Sequence, residues 1–236
     1  MVMHQEALME RFFEALIAGD RPLARATVQK AREALGGPIE LITELFWPTH
    51  QQIEKLYKAD QLTRMSHHMA VRLLRQLIDQ NAAQLTFDYS KGRTVLAFCG
   101  PSENEELGAQ MAVDVLEASG FEVRFGGAGV AADEILARVN EDKPGVLMMF
   151  CSAPQDLPEI RGLIDTLREI GAANGTQIAV GGGVFNRAEG LAEEIGADLW
   201  ATTPMEMAEM LIEEPQRRAE LDQRTVGRGK RRAKAA

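Results

Sequence analysis

The chain has 236 residues, 45% hydrophobic and 26% charged, which suits one large or two small folded domains with a core of normal size and no need of covalent staples. Its two cysteines, Cys99 and Cys151, each end an apolar run and favour a reducing cytoplasm; no stretch approaches the ~20 apolar residues of a membrane span, and residues 1–6 are too polar for a signal peptide. The net charge of −9 divides unevenly: 224–236 carries six basic residues and no acid, leaving 20 basic against 35 acidic residues elsewhere, and that acidic body excludes a general nucleic-acid binder.

The first stretch is helical, with Leu8, Phe12, Ala15 and Leu16 forming an apolar stripe over 5–18. Gly19-Asp20-Arg21-Pro22 breaks it, with Asp20 as N-cap and Pro22 inside a second helix that stops at Gly36-Gly37-Pro38. A third helix begins near Pro38 and is interrupted near Trp47-Pro48, where proline forbids a continuous ladder; a new helix continues to Tyr57. A long last helix covers 63–85, completing a bundle of four or five helices over 1–88.

The pattern then changes. Strands are expected over 94–98, 121–125, 146–150, 177–180 and 199–201, and helices over 108–119, 131–140, 157–170, 187–195 and 204–212. The run Val146-Leu147-Met148-Met149-Phe150 is apolar throughout, as in a strand covered on both faces. Alternating strands and helices over 93–213 predict an α/β domain, a doubly wound five-stranded parallel sheet of Rossmann or flavodoxin type. Residues 214–236 are expected to be a disordered basic tail, open to contact with nucleic acid or an acidic partner.

Ligands of such sheets sit beyond the carboxyl ends of the strands. Small or turn-forming residues stand at each of those ends: Gly100-Pro101-Ser102, Gly126-Gly127, Ser152-Ala153-Pro154, Gly181-Gly182-Gly183 and Thr202-Thr203-Pro204. Turns need such residues in any case, but five together predict an open crevice, with Ser152, Thr202 and Thr203 offering hydroxyls. Glu103, Glu105 and Glu106 are read mainly as charges at a helix N-terminus; they repel anions and argue against a nucleotide ligand. The triple glycine lacks the spacing of a dinucleotide fingerprint, and the cysteines and histidines form no zinc pattern.

The order of these motifs resembles the cobalamin-binding module of methionine synthase, corrinoid methyltransferase proteins and cobalamin-dependent light-sensing regulators. That family carries Asp-x-His-x-x-Gly in the first loop; here Glu103 falls on the Asp, Glu105 on the His and Gly108 on the Gly. Ser152-Ala153-Pro154 falls on the family's Ser-x-Leu, Gly181-Gly182 on its Gly-Gly, and Ile195-Gly196-Ala197-Asp198 on the run before its last strand. The helical half resembles the cap that covers the cofactor's upper face in that family, with Tyr57 on its Trp and His67-His68 on its Glu-His pair. The resemblance implies a tetrapyrrole-type ligand held between cap and sheet by Tyr57, His68, Ser102, Glu103, Glu105, Gly108, Ser152, Pro154, Gly181, Gly182, Thr202 and Thr203. His68 is the candidate metal ligand, from the cap side; adjacent helical residues point about 100° apart, so His67 and His68 cannot both face one site.

The departures bear on chemistry. Glu105 offers a hard oxygen where the family offers an imidazole, a poor exchange on cobalt, and no histidine follows His68. Three ligand states stay open: cobalamin with its own base on cobalt, haem, or no cofactor. The leading expectation is a non-catalytic sensor or regulatory protein that signals to a protein partner. Its alternatives are a corrinoid methyl carrier serving separate methyltransferases, and a haem-binding or cofactor-free interaction module.

Overall fold

The computed structural model describes residues 2–100 and 106–219, with side chains from residue 6 onward, and divides the chain into two compact units, Met1–Phe87 and Asp88–Ala236.

The first unit is helical: α1 (Val2–Ala18), α2 (Arg21–Leu35), α3 (Pro38–Leu41), a π turn (Ile42–Phe46), α4 (Trp47–Lys58) and α5 (Arg64–Ala82). Asp20 caps α2 by accepting from the Leu23 N–H at 2.9 Å, and Gly36, at φ 108°, closes the other end through Arg32 O. Thr63 caps α5 through the Ser66 N–H. Phe12, Leu16, Phe46, Ile53, Leu74 and Ile78 are fully buried, and Phe12 packs on Phe46 with ring centroids 5.8 Å apart. Buried Asn81 joins three helices: its Nδ2 donates to Pro38 O at 2.8 Å and its Oδ1 accepts from Arg32.

Pro48 does not interrupt the backbone as the sequence suggests. The Trp47 N–H reaches back to Ile42 O, and this widened turn absorbs the absent proline donor and the bulk of its ring, so α3, the π turn and α4 run on without a break. The last helix of the unit ends at Ala82, short of the expected Leu85.

The second unit is the expected doubly wound sheet. Its elements are β1 (Thr94–Cys99), α6 (Glu106–Ala118), β2 (Glu122–Phe125), α7 (Ala132–Asp142), β3 (Val146–Phe150), a 3₁₀ turn (Pro154–Asp156), α8 (Leu157–Glu169), β4 (Gln177–Gly181), α9 (Gly183–Arg187), α10 (Leu191–Ile195), β5 (Leu199–Ala201) and α11 (Pro204–Glu213). All five strands are parallel, in the order β2-β1-β3-β4-β5. Every residue of β3 and β4 is buried. Leu96, Phe98, Leu147, Met149, Ile178 and Val180 face one layer, packing with Ile135 and Val139 of α7, Ile164 and Leu167 of α8 and Ile195 of α10. The alternate strand residues face the other layer, where α6 and α11 pack together.

Two expectations for this unit are corrected. The single helix over 187–195 is two short helices: Ala188 is extended and Gly190 turns at φ 78°, while Val184 and Phe185 of α9 enter the core. Residues 214–219, expected within the tail, are held at the amino end of the sheet. Fully buried Gln177 donates to Glu214 O and Arg217 O, and Asp198 accepts from the Ala219 N–H. The rest of the tail, 220–236, lies outside the described residues. No helix among the described residues is long and apolar enough to cross a membrane.

Candidate functional site

The chain leaves β1 toward β2 on one side of the sheet and β3 toward β4 and β5 on the other, so the strand order reverses between β1 and β3. Crevices open at such a point beyond the carboxyl ends. Short backbone bonds tie those ends together: Cys99 N–H to Gly127 O, Gly100 N–H to Phe150 O and Cys151 N–H to Gly181 O, all between 2.8 and 2.9 Å. Gly182 takes φ 107°, and a Cβ there would lie 2.3 Å from Cys151 O, so no other residue fits. Gly126 is equally confined, since a Cβ would meet the Phe98 ring at 2.4 Å.

Ser152 is half-buried beyond β3; its Oγ accepts from the Gly183 N–H at 3.4 Å and its carbonyl from Arg187 Nη2 at 2.6 Å. Pro154 is exposed and opens the 3₁₀ turn, and Gly108 is half-buried inside α6. Gly181 and Gly182 end β4 as expected. Thr202 and Thr203 stand at the carboxyl end of β5, but their hydroxyls are engaged within the chain. Thr202 donates to Glu206 Oε2 at 2.5 Å, and Thr203 caps α11 by accepting from the Glu206 N–H. The Thr202 hydroxyl holds the Glu206 carboxyl below its ordinary range. Ser102, Glu103 and Glu105 lie outside the described residues.

Sequence reasoning passed over two side chains here. Asp156, at the foot of α8, is 4% exposed; its Oδ2 has no hydrogen-bond partner among the described residues, and burial, then the neighbouring Glu159, raise its pKa. It stands so close to the end of β1 that a Cβ on Gly100 would meet Oδ2 at 2.5 Å. Arg187 lies over Gly183, and its guanidinium donates to Ser152 O beyond β3. Asp156 reads in sequence as a helix-start charge and Arg187 as a solvated one, so neither carried a signal.

The helical unit holds the other candidates at the corner between α4 and α5. His67 is 2% exposed; its Nε2 donates to Glu54 Oε1 at 2.7 Å, and its ring lies on that of Tyr57 with centroids 3.9 Å apart and planes 15° apart. His68 is exposed, 6.1 Å from His67 and tilted by 54°. His50, also buried, stacks on Trp47 at 6.0 Å, and burial pushes its pKa down to about 4. The helical periodicity gave no sign of Glu54, which meets His67 only across the turn.

The donor chemistry of these residues meets a corrinoid in part. The strand ends offer a ligand the half-buried Ser152, Gly182 and Gly183, while the Cβ space at Gly126, Gly181 and Gly182 is taken by Phe98, Phe150 and Cys151. They do not suit a cobalt held by a nitrogen of the sheet unit, because the histidines are at 4, 50, 67 and 68 alone. No cluster of three or more His, Cys, Asp or Glu among the described residues could hold a metal.

Comparison with known proteins adds to this. A family model described as "B12 binding domain" matches residues 93–209, and a second of the same description matches residues 8–80. Dimethylamine corrinoid protein 1 of Methanosarcina acetivorans is 23% identical over 211 residues, covering 86% of this chain and 95% of its own. The protein of the same name from Methanosarcina mazei is 22% identical over 204 residues, covering 86% and 93%. The structure of the Methanosarcina barkeri monomethylamine corrinoid protein superposes with a TM-score of 0.77 at 16% identity, over 88% of this chain and 98% of that one, which shows a shared fold. These findings support a corrinoid and lend no support to haem.

Proposed function

The chain belongs to the B12-binding domain family, and from that premise we propose that it is a corrinoid protein of the methyl-carrier kind, serving a separate methyltransferase. The sensor expected first from the sequence gives way to the carrier because the similar proteins are corrinoid proteins along nearly their whole length. What carries the proposal is the pairing, in one chain, of both B12-binding matches, one on the helical unit and one on the sheet.

When bound, a corrinoid supplies a cobalt centre able to accept and release a methyl group. The chain's own share is to bind and orient it. Gly181, Gly182 and Ser152 offer backbone and hydroxyl contacts at the strand ends, Gly108 gives α6 a close approach, and Tyr57 and His68 contribute from the helical unit. Ser102, Glu103, Glu105 and Pro154 belong to the same proposal by their places in the motifs. With no imidazole in the sheet unit, the chain would offer cobalt no nitrogen there, and a corrinoid that brings its own base would suit it.

The test is retention of hydroxocobalamin by the purified chain through gel filtration. An equimolar corrinoid with the spectrum of the base-on form is expected; a colourless protein overturns the proposal. Loading with methylcobalamin then separates carrier from sensor. A carrier passes the methyl group to a thiol acceptor when a methyltransferase is added, and a sensor retains it.

A further inference from the structure

The amino end of the sheet, opposite the crevice, holds a cavity of about 260 Å³. Arg168 near the end of α8, Ala173 and Asn174 after it, Ile178 of β4, Asp198 before β5 and Arg218 of the segment 214–219 line it. A water takes up about 30 Å³ of liquid, so this space suits a small organic molecule.

Its charges do not balance. Asp198 is 5% exposed, and its carboxylate is already taken: it accepts from the Ile178 and Ala219 N–H groups at 2.7 Å and from Arg168 at 3.0 Å. Arg218 donates only to the carbonyl oxygens of Arg217, Pro215 and Gly175 and makes no ion pair among the described residues. Arg93, half-buried next to the segment, donates to Leu211 O and Gln177 Oε1, again neutral oxygens. Burial, then the nearby Arg218, lower the Arg93 pKa. Arg217 is paired with Glu214 at 3.0 Å. Four guanidiniums thus meet two carboxylates, in a chain whose net charge is −9. Like charges gathered in a partly buried place oppose folding, and an anion among them removes that penalty. Guanidinium forks match phosphate oxygens two at a time.

We propose that this cavity binds a small phosphate monoester, its phosphate received by the Arg218 guanidinium and the Asn174 amide in the positive field of Arg93 and Arg168, its organic part lying against Ala173 and Ile178. Because Arg218 and Ala219 form one wall, the ligand fastens the segment 214–219 to the sheet. The site is separate from the strand-end crevice and does not rest on the corrinoid reading.

Glycerol phosphate is titrated into the full-length chain by calorimetry at fixed ionic strength, beside inorganic phosphate and glycerol. Glycerol phosphate should bind saturably with one molecule per chain, inorganic phosphate more weakly and glycerol not at all, and the amide resonances of Asn174 and Ala219 should move as the site fills. Arg218→Gln, which changes an exposed side chain, should weaken binding about tenfold. Arg217→Gln, whose guanidinium serves Glu214, should leave it unchanged. An equal loss in both variants assigns the affinity to diffuse basic charge and overturns the site, as does the absence of saturable binding. Inorganic phosphate binding as tightly as the ester overturns the ligand class. Binding that emerges only after Glu220→Gln and Asp222→Asn shows that the chain's own acids fill the cavity, and overturns the proposal.

Discussion

Acid should loosen the helical unit through His50. Its ring is 8% exposed, with Nε2 lacking a hydrogen-bond partner among the described residues. Burial is the largest cause that lowers its pKa from 6.5 to about 4; Glu54 opposes the shift, and Lys58 and His67 add to it. The unfolded chain therefore takes up a proton before the folded one does. Stability intact above pH 6.5 is lost as pH falls from 6.5 toward 4, and the loss levels off below. The gap between 6.5 and about 4 corresponds to about 3 kcal/mol at full protonation and about 2 kcal/mol at pH 5. The assay is urea unfolding in a Trp200→Phe background, so that Trp47, stacked on His50, reports on the helical unit. The difference between this chain and its His50→Gln derivative, in which every other titrating group cancels, should change by about 2 kcal/mol between neutral pH and pH 5. Parallel pH profiles for the two would refute the reasoning.

Gly182→Ala should cost about 3 kcal/mol or more, since the new Cβ meets the Cys151 backbone at a positive φ; a loss below about 1 kcal/mol in Trp200-monitored unfolding would contradict the geometry. Asp198→Ala should cost about 3 kcal/mol by the same measurement, because Asp198 accepts from the Ile178 and Ala219 N–H groups and from Arg168 at once. Asp156→Asn should stabilise the chain at neutral pH and lose that advantage in acid: burial raises the Asp156 pKa, so ionisation opposes folding above the unfolded value, and the penalty fades as the carboxyl protonates. Denaturation midpoints at neutral and acid pH decide it, and a destabilised neutral-pH variant would assign the carboxylate a partner.

Much of the fold was legible because burial on both faces writes itself into composition. The run at 146–150 reads as a strand covered on both faces and 177–180 as its neighbour, and the turn residues after them marked the end where ligands of such sheets sit. Where a local rule competed with packing, the rule failed. Pro48 promised a break, yet one widened turn kept the helix running and left Phe46 and Ile53 in the core. The stretch after Arg187 has helix-forming Ala188 and Glu189, yet Val184 and Phe185 drew the helix forward into the triple-glycine turn. Thr202 and Thr203 looked free for a ligand because their bonds to Glu206 depend on the cap geometry of α11.

The histidine pair shows where site reasoning meets its physical limit. Helical geometry dictates that neighbours diverge, so only one of His67 and His68 could turn outward, but the spacing does not say which. Glu54 decides it from 13 residues away by drawing His67 inward beneath Tyr57. That leaves His68 the outward imidazole of the corner, and leaves the sheet unit with none. On the corrinoid reading, the sheet unit would offer cobalt no nitrogen donor, and discrimination would fall to the shape of the ligand. Shape is sensitive to the breadth of the ligand and indifferent to its metal, so a corrin emptied of cobalt should compete with hydroxocobalamin for this chain; failure to compete at equal concentration would refute this and point to a side chain on the metal, the outward His68 first.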